Sequence, residues 1–325
     1  MKALRFIKDW TLPLAMAAGA LFYLPFAYIP ALDGASLFLG PLMEGFLPLL
    51  MFLVLFITFC KVDFRRMRLV SWHWRVMAAN LLLVAITLTG MLMPSAGSMS
   101  YSAKMLLEAA FVCVAAPTAT AAAVVTQKLG GNLEQMTAFT FLSNLLTAVL
   151  VPLCFPLIEA SADTTFMALF LKILYQVSAL LVGPMLLAHF VKHYAHGLHR
   201  RIVSVRDLSF YLWACSLMIV TGTTVKNIVH ARASVALLAG IAAVALAACL
   251  IQFAIGKHLG RPSGHSQEAG QAIGQKNTTF AIWMSYTYLN PLSSVGPGCY
   301  ILWQNIINSV EIWQHEKEKS LYARA

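Results

Sequence analysis

From Thr11 to Trp313 the chain repeats one pattern: a long apolar run, then a short polar or basic turn. A helix that crosses a bilayer takes about 20 mostly apolar residues. Lipid offers no partners to backbone N–H and C=O groups, so a spanning segment must be a helix or part of a closed barrel. The runs are continuous rather than alternating, which selects helices. Composition agrees: 59% of the 325 residues are hydrophobic, 11% are charged, and the mean hydropathy is +0.74. A soluble domain carries about 25% charged residues. The sequence therefore reads as an all-α polytopic membrane protein whose first partner is the lipid bilayer.

Ten spans are predicted: 11–32, 42–60, 76–94, 105–126, 135–158, 166–190, 208–225, 235–255, 266–288 and 295–313. The first resembles a signal peptide at its basic start, but its apolar part outlasts an h-region and reads as a retained helix. With the N-terminus inside, about 18 of the 23 Lys and Arg residues fall on cytoplasmic segments. That bias predicts cytoplasmic N- and C-termini in the cell's inner (plasma) membrane and favours an even number of spans. The formal charge of +10 is spread among these short segments, so a nucleic-acid partner is not expected. Cys60, Cys113, Cys154, Cys215, Cys249 and Cys299 lie singly in or beside apolar runs and form no CxxC pair, which predicts buried apolar roles.

Two segments break the helix pattern. The fourth, "LLEAAFVCVAAPTATAAAVVTQKLGGN", has Pro117 near its centre, followed by the hydroxyls of Thr118 and Thr120. Proline removes a backbone donor and breaks or kinks a helix. The ninth, "GQAIGQKNTTFAIW", sets Gln271, Gln275, Lys276, Asn277, Thr278 and Thr279 in a membrane segment beside Gly270 and Gly274. Fourth and ninth are equivalent places in two halves of five spans, residues 1–160 and 161–325. Five is odd, so the halves are inverted. Paired interrupted segments in matching positions point to a transporter's central site.

The chain resembles the bile acid:sodium symporter family over nearly its whole length. The resemblance rests on "LPLLMFLVLFITFCKVDFRRM" around the second span, "APTATAAAVVTQKLGGNLEQMTAFTFLSNLL" from the fourth into the fifth, and "AIGQKNTTFAIWM" in the ninth. It implies a panel of spans one, two, six and seven, and a core of the other six whose broken helices cross. It also implies a carrier of organic anions, often coupled to sodium, that works by alternating access. No cofactor is expected.

The sequence departs from that pattern at the ion sites. Aligned on Asn132, Ala122 and Ala123 stand where sodium-binding members keep a Ser-Asn pair, and alanine has no oxygen for a hard cation. Thr126 and Thr140 still match polar positions. Aligned on Asn277, Lys276 takes the family's glutamine position and Ala272 its glutamate, whereas a register keyed on "EAG" makes Glu268 the glutamate. A lysine near the middle of a span costs roughly 2.5–3.5 kcal/mol on insertion scales. We read its ammonium as taking the place of a sodium charge, holding the broken helices together and attracting a substrate carboxylate. The bland alternatives are a pair with Glu268 or snorkelling to the surface.

Asn144, Gln304, Asn305 and Asn308 put amides into apolar helices, where they either face a cavity or tie helices together. Lys104 and Glu108 read as a structural pair. His193, His196 and His199 read as an interfacial loop with one face of histidines rather than a metal site, and "HEKEKSLYARA" as a solvated tail. The competing class is a membrane-embedded transferase-type enzyme, which wants a nucleophile–base pair or clustered carboxylates. The scattered acids here disfavour it. Bile acids, pantoate-like acids and keto acids all suit an apolar cavity with a cation and amides; the sequence leaves the choice, the coupling ion and the oligomeric state open.

Overall fold

The computed structural model describes residues 11–62, 67–93, 99–158, 165–205, 208–230 and 233–322. The described residues form helices: α1 (Thr11–Tyr28), α2 (Asp33–Lys61), α3 (Ser71–Leu92), α4 (Tyr101–Ala115), α5 (Ala121–Lys128), α6 (Leu133–Ile158) and α7 (Phe166–Leu181). They continue as α8 (Gly183–Tyr194), α9 (His196–Ser204), α10 (Leu208–His230), α11 (Val235–Gly260), α12 (Ser266–Gly274), α13 (Thr278–Tyr288) and α14 (Val295–Tyr322). Short 3₁₀ turns interrupt the series at Pro30–Leu32, Arg261–Ser263 and Pro291–Ser294.

Five described helices (α3, α6, α10, and the apolar stretches of α2 and α11) are long and apolar enough to cross a membrane. The pair α7 and α8, bent by 40°, makes a sixth if it is one span. The expected sixth span is thus a bent pair. The bend falls at Val182, just before Gly183 and Pro184, where proline cannot donate to the preceding turn. The fourth and ninth segments are each split into two short helices, α4 with α5 and α12 with α13. The first helix stops at Tyr28, short of the expected Leu32, and the last runs on to Tyr322. The tail read as solvated is thus helical at its start; the Glu and Lys of "HEKEK" are good helix formers.

Packing follows chemistry. α10 lies against α1 and α2, α8 against α2, and α7 against α6, while α11 packs on α12, α14 and α4. The largest apolar cluster gathers Leu55, Phe59, Phe111, Phe155, Leu181 and Phe280. Outside, large apolar side chains such as Leu21, Phe22, Leu82, Ile86, Tyr175 and Phe190 are exposed. So wide an apolar surface needs a lipid neighbour. Tight approach of α11 and α12 depends on Gly256 and Gly260, a GxxxG pair. A Cβ on the first would stand 2.2 Å from the Ala269 carbonyl oxygen, and on the second 2.3 Å from that of His265. Small residues at this spacing let helix backbones meet in membranes.

Two sequence readings are corrected. Cys215 is exposed and Cys299 half-buried, although the other four cysteines are buried as expected; all six are free thiols. The three histidines do not share one helical face, because Ala195 ends α8 after His193 and α9 begins at His196. His199 Nε2 instead meets the Cys60 carbonyl at 2.9 Å, and His193 Nδ1 meets that of His189 at 2.8 Å.

Candidate functional site

Each broken segment leaves helix-end backbone groups without intrahelical partners, and the two breaks satisfy each other. Ala119 N–H donates to the Gln275 carbonyl (2.9 Å) and Asn277 N–H to the Pro117 carbonyl (2.8 Å), closing an antiparallel bridge between Thr118 and Lys276. Neighbouring helices supply the remaining acceptors. Thr118 N–H donates to Ser143 Oγ on α6 (2.9 Å), and Lys276 N–H to Gln304 Oε1 on α14 (3.0 Å). The side chains then cross over. Thr118 Oγ1 donates to the Ala272 carbonyl in the last turn of α12 (2.6 Å). Lys276 Nζ donates to the Val114 and Ala116 carbonyls at the end of α4 (2.8 and 3.1 Å) and to Asn80 Oδ1 on α3 (2.8 Å).

Lys276 is only 2% exposed, so its charge state matters. A neutral amine has two N–H bonds and could not serve three acceptors, whereas an ammonium has three. The three acceptors match the three N–H bonds of an ammonium, and they lie at the negative end of the α4 dipole. Neither bland alternative holds: Nζ reaches Asn80 and two carbonyls rather than Glu268 or solvent. The opposite helix end is closed without charge. Tyr300 O–H donates to the Gly274 carbonyl (2.7 Å), and Gln252 Nε2 donates to Tyr300 Oη (3.0 Å).

The other candidates divide into three groups. Pro117, Gln275 and Asn277 belong to the bridge, and Asn277 also caps α13 by accepting from Phe280 N–H (3.2 Å). Thr278 N–H follows with a bond to the Lys276 carbonyl (2.9 Å). Thr120 begins α5 without a side-chain cap. Thr140 and Asn144 turn back on their own helix, Thr140 Oγ1 to the Met136 carbonyl (3.0 Å) and Asn144 Nδ2 to that of Thr140 (2.8 Å). Both are buried, and Asn144 Oδ1, Thr126 Oγ1 and Gln275 Oε1 have no hydrogen-bond partner among the described residues.

The third group lies away from the bridge. Glu268 accepts from Asn132 N–H (2.9 Å) and sits 3.3 Å from His265 Nδ1. Gln271 Nε2 donates to Asn308 Oδ1 (2.8 Å) and Glu311 Oε2 (3.1 Å). Glu108 pairs with Lys104 as expected (3.5 Å) and accepts from Ser293 Oγ.

Sequence reasoning missed Asn80, Ser143, Gln252 and Tyr300. Asn80 and Gln252 were findable, as lone amides in the predicted third and eighth spans, and both are buried. A cavity lies beside the bridge, lined by Asn80, Thr118, Phe139, Ser143, Ile273 and Lys276, with about 10 Å³ of room. That is space for about one water.

With the geometry in place, the comparisons narrow its meaning. A family model described as the Sodium Bile acid symporter family matches residues 48–231, more than half of the chain. The chain belongs to this family. Members of the sodium bile acid symporter family are membrane transporters, and the apolar helices make this one a multi-pass membrane protein. The match takes in α3 to α6, hence Asn80, Thr118 and Ser143, and ends before the segment that carries Lys276. No curated protein matches the chain.

Proposed function

We propose that this chain carries an organic anion across the membrane by alternating access, without sodium, the Lys276 ammonium standing in for a sodium charge. The observation that carries the reading is the triad of acceptors around Nζ: Asn80 Oδ1, the Val114 carbonyl and the Ala116 carbonyl. Two carbonyls and an amide oxygen are what a hard cation takes from a protein. A covalently held cation that fills all three leaves nothing there for sodium to bind.

The same bonds support the inverted arrangement, residues 1–160 against 161–325. Shifting Thr118 to Lys276 carries Val114 onto Ala272, and the bonds to Ser143 and Gln304 onto one another. On this reading spans one, two, six and seven form a panel that moves against a core of the other six. The cargo is a bile-acid-like or smaller carboxylate. It meets the crossing when the panel moves, since the present cavity has room for about one water. The wider site comprises Thr118, Thr120, Thr126, Thr140, Asn144, Gln275, Asn277 and Thr278, with Glu268, Gln271 and Asn308 toward the end we assign to the cytoplasm. No observation at the crossing favours the transferase-type alternative.

The deciding experiment is uptake of labelled taurocholate and of small carboxylates found by thermal-shift screening, in proteoliposomes with sodium replaced by choline. Undiminished uptake is expected. Strict dependence on sodium would overturn the reading.

A further inference from the structure

Between the bent sixth span and α10 lies a helix for which the carriage of an anion has no use. α9 (His196–Ser204) has nine residues and is about 14 Å long, too short to cross a hydrocarbon core of about 30 Å. Three bonds strap it to the end of α2. Lys192 Nζ, just before α9, donates to the Val62 carbonyl (3.1 Å), and His199 Nε2 meets the Cys60 carbonyl (2.9 Å). Just after α9, the Val205 carbonyl accepts from Lys61 Nζ (2.9 Å). Ile202, three residues from His199, packs on the large apolar cluster. His199 and Ile202 thus mark the inner face, and α9 is a fixed platform rather than a loose loop.

The opposite face is bare. Gly197, Arg200, Arg201 and Ser204, spaced i, i+3, i+4 and i+7, are all exposed. Successive residues turn about 100° around a helix, so the two arginines diverge and straddle the two small residues. The ground between them is open. A Cβ on Gly197 would meet nothing within 4 Å, and Ser204 Oγ turns back to the Arg201 carbonyl (2.7 Å). Among the described residues neither guanidinium has a protein partner. The charge nearby along the chain is of one sign: there is no Asp or Glu from 164 to 206, nor from 45 to 62 at the end of α2.

An apolar row shows what lies beside this face. Leu186, Phe190, Tyr194 and Leu198 recur every four residues from α8 into α9, each more than half exposed. Leu186 and Phe190 belong to the lipid-facing surface of the sixth span. Tyrosine is the kind of residue that sits at headgroup level, and Leu198 brings the row onto α9. The arginines follow two and three residues later.

We propose that α9 is a seat for an anionic phospholipid. Tyr194 and Leu198 border the acyl chains, while Arg200 and Arg201 together take the headgroup phosphate above Gly197. Guanidinium meets phosphate oxygens with paired N–H bonds. A helix with a basic face and an apolar flank suits the surface of a charged leaflet. Free phosphate would find the same arginines but would leave the apolar row without a purpose. The bound lipid fixes the depth of that end of α2 and α8. The seat is separate from the crossing and needs neither cargo nor coupling ion.

Native mass spectrometry of the purified full-length protein reads the lipid directly. Offered phosphatidylglycerol and phosphatidylcholine at equal concentration, the wild type should retain the first severalfold more than the second. Arg200→Gln and Arg201→Gln should each lose most of that preference, and Leu198→Ser part of it. Arg261→Gln, which changes an equally exposed arginine just after α11, should keep it. Both arginine variants of α9 should melt like the wild type in phosphatidylcholine nanodiscs, so that a lost preference is not a lost fold. A preference that survives in both of them, or that falls as far in Arg261→Gln, would overturn the proposal. So would a lower melting temperature of either one in phosphatidylcholine, which would give its arginine a protein partner. Protection by inorganic phosphate in detergent, or a dimer that either variant dissolves, would assign the face to a free anion or to a second copy and overturn it as well. None of these readouts involves transport, so the carrier reading stands or falls separately.

Discussion

Thr118 and Lys276 face each other across an antiparallel bridge, and each gives its side chain to the end of the other's helix. Thr118 Oγ1 holds the Ala272 carbonyl and Lys276 Nζ that of Val114, each four residues before its partner in the bridge. One hand of this clasp is a neutral hydroxyl and the other, on the reading proposed above, an ammonium.

The charged hand should be the stronger. Lys276→Met leaves two carbonyls and an amide oxygen unserved in a buried place, and one orphaned buried acceptor costs about 1–3 kcal/mol, so the three together should cost more than the single bond lost in Thr118→Val. Thermal unfolding in detergent should show that loss, with sodium chloride restoring part of it and choline chloride none. A variant within about 1 kcal/mol of the wild type would refute the role of the ammonium.

Ser143 and Gln304 do matching work on the two sides of the bridge, each accepting one buried N–H. Ser143→Ala and Gln304→Leu should therefore cost similar amounts, about 1–3 kcal/mol apiece for an orphaned donor. Denaturation curves for the two single variants check this; a cost on one side only would deny the equivalence.

Gly256→Ala should be far more damaging than its size suggests, because the new methyl would stand 2.2 Å from the Ala269 carbonyl oxygen. We expect a loss of at least 1–3 kcal/mol as α12 is pushed away. Gly34→Ala, with nothing within 4 Å of its Cβ, is the control, and should be neutral or stabilising by up to about 1 kcal/mol. The melting temperatures of the two variants give the comparison.

Glu268→Gln keeps an oxygen for Asn132 N–H, whereas Glu268→Ala does not. The first should cost less than about 1 kcal/mol and the second about 1–3 kcal/mol. Limited proteolysis at the turn before α6 should follow the same order.

The fold was legible where one residue carries the signal. Pro117 announces the first break by removing a donor, and the long apolar runs announce the helices. The second break has no proline; its polar run was visible, but Gln275 to Asn277 leave the helix to pair with 117–119, a contact no local pattern encodes. For the same reason Lys276 stood out as an oddity while its acceptors at Asn80, Val114 and Ala116 did not, lying some 160 to 196 positions away along the chain. The bend at Val182 had its Gly183–Pro184 signal, outweighed by the unbroken hydropathy around it. The histidine trio was misplaced because spacing alone does not reveal that Ala195 ends a helix.

The basic residues at the end of the bundle near α9 have a second duty. Lys61 Nζ binds the Val205 carbonyl (2.9 Å), Lys192 Nζ that of Val62 (3.1 Å), and His199 Nε2 meets that of Cys60. Charges of the kind that orient a chain during insertion serve afterwards as mortar between finished elements. Neutralising Lys61 or Lys192 to redirect the chain would loosen the masonry as well, so a failed insertion and a loosened wall have to be told apart there.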